Sequence, residues 1–120
     1  MEQHHHKIHY VELAAHDLEA TKAFFSKAFG WGFQAYGPDY VGLKNVGLDG
    51  GFYRKNLKSN ADAGGALVIL YSSDLEATQR EVEGAGGQIK LAIFPFPGGR
   101  RFHFLEPSGN EFAVWTDKDE

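Results

Sequence analysis

Two spacings of apolar residues alternate along the chain. From Ile8 to Ala14 the segment Ile8-His9-Tyr10-Val11-Glu12-Leu13-Ala14 carries a strand-like pattern of β-branched, aromatic and aliphatic residues. After Asp17 the spacing lengthens to three and four: Leu18, Thr21, Phe25, Ala28 and Phe29 fall near one face of a helix. Asp17 is placed to cap that helix, and Gly30 to end it. Three short strand-like segments follow, Gly32–Tyr36, Tyr40–Lys44 and Leu48–Arg54, with turn chemistry at Gly37-Pro38-Asp39 and Asp49-Gly50.

The same order then repeats. Asp17-Leu18-Glu19-Ala20-Thr21 recurs unchanged as Asp74-Leu75-Glu76-Ala77-Thr78. An apolar strand, Ala66–Tyr71, precedes the second copy. Its helix shows Leu75, Thr78, Val82 and Ala85 on one face, with Gly86-Gly87 at its end. Strands at Gln88–Phe94, Arg101–Leu105 and Glu111–Thr116 complete it, with turns at Pro97-Gly98-Gly99 and Pro107-Ser108-Gly109-Asn110. The pattern predicts an α+β fold of two tandem βαβββ modules, residues 8–54 and 66–116, joined by a polar linker at 55–65. Residues 1–7 form a flexible arm and 117–120 a tail in this reading. One sheet with a helix on a single face leaves its other face apolar and wet. The two modules are therefore expected to build one curved, eight-stranded mixed sheet around a cleft, and the chain to form a homodimer.

Composition narrows the classes of function. The 120 residues include no Cys, so thiolate nucleophiles, disulfides and Cys-based zinc sites are excluded. Twelve Lys+Arg against 16 Asp+Glu give a net charge of −4, and the only adjacent basic pair is Arg100-Arg101. Nucleic acids are bound through clustered basic side chains, so no nucleic-acid partner is expected. No apolar run approaches the roughly 20 residues that span a bilayer, and the polar start of the chain does not read as a secretory signal. No membrane partner and a cytoplasmic location are expected. The aromatic share is high at 14%, with ten Phe, five Tyr and two Trp, enough for a core and a pocket. His4-His5-His6 reads as an arm or tag remnant, because consecutive side chains on a mobile segment cannot converge on one ion.

The chain resembles the vicinal oxygen chelate superfamily of glyoxalase I, bleomycin-resistance proteins, fosfomycin-resistance transferases and extradiol dioxygenases. The residues that carry the likeness are His9-Tyr10-Val11-Glu12-Leu13-Ala14-Ala15-His16-Asp17-Leu18, Ala23-Phe24-Phe25 with Phe29-Gly30-Trp31, Gly50-Gly51-Phe52-Tyr53-Arg54, Gly86-Gly87, and Phe104-Leu105-Glu106-Pro107-Ser108-Gly109-Asn110-Glu111. The resemblance implies a glyoxalase/bleomycin-resistance-like fold; it says little of the reaction, because one scaffold carries many. Enzymes of this superfamily hold a divalent metal with four side chains, one from the first and one from the last strand of each module. Those positions fall here on Tyr10, Leu67, Ala113 and Phe52, with Gly51 the alternative to Phe52 by a one-residue shift. None supplies an imidazole or carboxylate, so no metal and no other cofactor is expected.

Relative to Tyr10, strand alternation turns Glu12 toward the cleft. The resemblance places a substrate-contacting side chain at His103, and Glu111 and Trp115 share the parity of Ala113. The expected ligand-binding set is Tyr10, Leu67, Ile69, Phe52, Ala113 and Trp115, with Glu12 and His103 as candidate catalytic groups. Arg54, Arg100 and Arg101 read as solvated rim charge, with clamping of an anionic ligand the alternative. Trp31 is assigned to packing at the end of the first helix. The first functional expectation is a metal-free small-molecule-binding protein that takes an aromatic or amphipathic compound in its cleft. The second is a glyoxalase-like lyase or isomerase in which Glu12 and His103 act as acid and base. A filled cleft would leave a structural or partner-binding module.

Overall fold

Both copies of the repeated pentapeptide begin a helix by the same bond. In the computed structural model, which describes residues 3–118, Asp17 Oδ1 accepts from the Ala20 backbone N–H at 3.0 Å and Asp74 Oδ1 from that of Ala77 at 3.1 Å. Each cap satisfies a backbone donor that the first helical turn leaves free. Helix α1 spans Leu18–Phe29 and α2 spans Leu75–Gly84. Gly30 closes α1 in the left-handed region at φ 72°, which a side chain would oppose. Met1, Glu2, Asp119 and Glu120, the ends of the expected arm and tail, lie outside the described residues.

The strands are β1 (Tyr10–Ala15), β2 (Gly32–Ala35), β3 (Tyr40–Lys44), β4 (Asp49–Arg54), β5 (Val68–Tyr71), β6 (Gln88–Phe96), β7 (Gly99–Leu105) and β8 (Glu111–Thr116). They fall into two four-stranded sheets, ordered β1-β4-β3-β2 and β5-β8-β7-β6. In each, the first and last strands of the module run parallel and the rest are antiparallel. The expected α+β class, the two tandem modules and the mixed pairing are therefore present. Within one chain the eight strands are divided between two sheets, and β1 and β5 each keep one edge without a strand beside it.

Aromatic packing joins the modules. Phe25 of α1 meets Phe52 of β4 at 5.7 Å and Phe112 of β8 at 4.9 Å between ring centroids. Phe24 reaches Phe104 of β7 at 5.7 Å, and Trp31 stacks on Phe25 at 4.4 Å, the packing role expected of it. These rings, with Leu18, Leu75, Val82, Phe102 and Val114, form one buried core. Rings of this size remove enough apolar area from water to hold a small domain without disulfides. The linker is tied down as well. Its Ser59 N–H donates to Asn110 Oδ1 at 2.8 Å, Ser59 C=O accepts from Glu111 N, and Ala61–Ala63 forms a 3-10 turn. No helix among the described residues is long and apolar enough to cross a membrane.

Candidate functional site

Each sheet presents its helix-facing side to the core and leaves the opposite side free to carry chemistry. In the first sheet the register pairs Glu12 with Gly51 and Leu13 with Phe52. Phe52 is therefore on the core side and fully buried, while Gly51 shares the outer face with Tyr10 and Glu12. The expectation that Phe52 faces the ligand side gives way to the one-residue alternative, because burial against Phe25 fixes its direction. Tyr40, which sequence reasoning did not single out, completes the outer face. Its hydroxyl donates to Glu12 Oε2 at 2.9 Å and lies 2.5 Å from the Tyr10 hydroxyl. A Cβ at Gly51 would overlap the Tyr40 hydroxyl, so only glycine leaves room for this arrangement. Burial and the neighbouring Tyr10 and Glu12 raise the Tyr40 pKa above the usual phenol range.

The outer face of the second sheet collects the other predicted residues. Ile69 of β5, Ala113 of β8 and His103 of β7 are consecutive register partners across three strands. One row along, Tyr71, Trp115 and Arg101 line up in the same way. Ile69, His103, Ala113 and Trp115, placed by the resemblance for His103 and Ala113 and by alternation for Ile69 and Trp115, share this face. Leu67 is half-buried just before β5. Trp115 meets Tyr71 edge-on at 5.3 Å and Phe96 at 6.2 Å. The Arg101 guanidinium carbon lies 5.5 Å from the ring centroids of both Phe94 and Phe96, which β6 brings opposite through irregular register. Ile69, Phe96, Arg101 and Trp115 bound a hollow of 280 Å³.

Two residues beyond Arg101 on β7, His103 is 4% exposed and its Nδ1 lies 2.7 Å from Glu111 Oε2. Glu111 Oε1 accepts from Lys90 Nζ at 2.8 Å and from the Ala61 N–H at 2.9 Å. Burial pushes the Glu111 carboxyl up, but Lys90, His103 and the Ala61 N–H outweigh it and hold the group down at about 2. An ionised Glu111 only accepts, so His103 Nδ1 carries the proton of that bond. Because folding lowers this pKa from 4.5, its stabilising contribution is present above that pH and lost as pH falls toward 2. Acid titrations followed by circular dichroism should show Glu111→Gln with a flatter stability profile between those values than the parent. Equal slopes would show that Glu111 carries none of the acid sensitivity.

Tyr10 and Glu12 stand on one sheet, and His103, Ile69, Ala113 and Trp115 on the other. Neither Glu12 nor His103 lines the 280 Å³ hollow. A larger hollow of 540 Å³ lies at the seam of the modules, walled by apolar side chains that include Val11, Leu43, Phe52, Val68, Ile69 and Leu70. It contains no charged side chain. Of the three arginines near strand ends, Arg54 is bound to Asp39 and the Pro38 carbonyl, and Arg100 to Glu76. Arg101 alone of the three turns into the aromatic face.

The four positions where the resemblance puts metal ligands hold Tyr10, Gly51, Leu67 and Ala113 once the register is read from the structure. No three His, Cys, Asp or Glu side chains gather among the described residues. His103 and Glu111 make a pair, but their third member is the Lys90 ammonium, which repels a cation. These residues do not fit a divalent ion.

A family model described as the Glyoxalase/Bleomycin resistance protein/Dioxygenase superfamily matches residues 7–114. The chain is 27% identical to the anthracycline biosynthesis protein DauV of Streptomyces sp. (strain C5), over 88% of this chain and 45% of that protein. It thus spans under half the length of that curated relative. Among solved structures, a glyoxalase-related enzyme from Fulvimarina pelagi superposes with a TM-score of 0.77 at 16% identity, covering 92% of this chain and 88% of the other. A lactoylglutathione lyase from Agrobacterium tumefaciens gives 0.70 at 22% identity, over 92% and 93% of the two chains. At these identities the structural likeness speaks to the fold alone.

Proposed function

We propose, from the premise that the chain belongs to the Glyoxalase/Bleomycin resistance protein/Dioxygenase superfamily, that it is a metal-free member which binds a small planar aromatic compound on the outer face of its second sheet. The observation that carries this is the hollow of Ile69, Phe96, Arg101 and Trp115, where rings and one cationic group converge. Apolar walls with few directed polar groups are the usual make-up of a small-molecule site. The similarity to a protein of anthracycline biosynthesis is consistent with an aromatic ligand. Homodimerisation belongs to the same proposal. The free edges of β1 and β5, with Tyr10, Ile69 and Tyr71 exposed along them, suit strand pairing with a second copy. Acid–base catalysis by Glu12 with His103 finds less support, since within a chain the two stand on different sheets.

A ligand that binds only the folded state raises its stability by mass action. A planar probe such as 2-naphthamide, at roughly a hundred times its dissociation constant, should stabilise the protein by about 2.7 kcal/mol. Trp115→Ala should abolish that gain. Equal stabilisation of parent and variant, or no stabilisation of either, would reject this site.

A further inference from the structure

The Arg101 side chain is half-buried, yet its Nε is buried and has no hydrogen-bond acceptor. No carboxylate reaches the guanidinium among the described residues, and its flanks are the rings of Phe94 and Phe96. A second buried nitrogen without a partner, His103 Nε2, stands on the same face two residues along β7. Alternate residues of a strand are roughly 7 Å apart. With Nδ1 fixed on Glu111, the other ring nitrogen is turned away from that carboxylate. The terminal nitrogens of Arg101 are neither buried nor bonded among the described residues, and they belong to the one charged side chain in the wall of the aromatic hollow, so an anion there would complete their bonding.

Resting on the aromatic-ligand proposal above, we propose that the ligand is an aromatic anion: its ring lies in the hollow beside Trp115 and Phe96, and its anionic oxygen accepts from the terminal N–H groups of Arg101. The Phe94 and Phe96 rings lie within cation–π distance of the guanidinium. A guanidinium edge matches the oxygen of a carboxylate or phenolate.

Calorimetric titration with 2-naphthoate and with its neutral isostere 2-naphthamide separates this from aromatic binding in general. In the parent protein the carboxylate should bind at least about tenfold more tightly, the range of a charge-assisted hydrogen bond. Arg101→Gln should bring the two probes to within about twofold of each other and leave the amide nearly unchanged. Should Arg101→Gln lose its fold by circular dichroism, Arg101→Lys decides. It keeps the charge without the fork of guanidinium N–H groups, and should lose at least about threefold of the preference. Two results overturn the inference while leaving the aromatic site standing. One is equal affinity for both probes with both lost in Trp115→Ala, as when a second copy's carboxylate occupies Arg101. The other is a preference for the carboxylate that survives replacement of Arg101. Failure of both probes to bind the parent protein overturns the site and the inference together.

Discussion

Glu106→Ala should lower the unfolding midpoint by about 10–20 °C, corresponding to a loss of about 3–5 kcal/mol. Glu106 is 2% exposed and its carboxyl oxygens accept four hydrogen bonds. Oε1 receives the Thr21 hydroxyl at 2.6 Å and the Ser108 N–H at 3.0 Å, and Oε2 receives Asn110 N–H at 3.1 Å and Asn110 Nδ2 at 2.8 Å. Thr21 belongs to α1 of the first module, so one side chain fastens the β7–β8 turn of the second module to that helix. Asn110 extends the clasp by donating to the Ala14 carbonyl at 2.7 Å and accepting from Ser59 N–H. Truncating Glu106 strands several buried donors together, each costing about 1–3 kcal/mol less whatever water can recover. Glu106→Gln should cost less than alanine, since one amide oxygen still accepts. A midpoint shift of under about 3 °C for Glu106→Ala would show that the clasp contributes little.

Phe25→Ala should cost about 3–5 kcal/mol by chemical denaturation, with no gain of a new folded form. Phe25 is fully buried where α1 touches both sheets, and its ring contacts Phe24, Phe29, Trp31, Phe52 and Phe112. Its removal opens a cavity that neither sheet can close without abandoning contacts to the other. Phe29→Ala, at the half-buried end of the same helix, should cost less. Equal losses at the two positions would contradict a core centred on Phe25.

Repetition made the architecture legible. Asp17 and Asp74 announce helix starts because a carboxylate there answers free backbone donors, and that chemistry is local. Alternation likewise carried Leu67 to Ile69 and Ala113 to Trp115, since period two is set by the strand itself, whereas His103 and Ala113 were placed by the resemblance. What depends on distant partners was harder to read. Phe52 follows two glycines, so the sequence shows no alternation to orient it, and packing on Phe25 decides. Phe24 escaped the helical-face reading although it is as buried as Leu18, because α1 has sheets on two sides. Tyr40 joins Tyr10 and Glu12 only through the β3–β4–β1 pairing, and Arg101 meets Phe94 and Phe96 only through the irregular β6 register. The division of eight strands into two sheets reflects how α1 packs, which no local pattern encodes.

Amide chemical-shift mapping with 2-naphthoate puts the aromatic face to its most direct trial. Perturbations should centre on Ile69, Phe96, Arg101, His103 and Trp115 and leave Leu43, Val46 and Leu48, at the wall of the larger seam cavity, unmoved. Shifts confined to that seam, or none anywhere, would contradict the account.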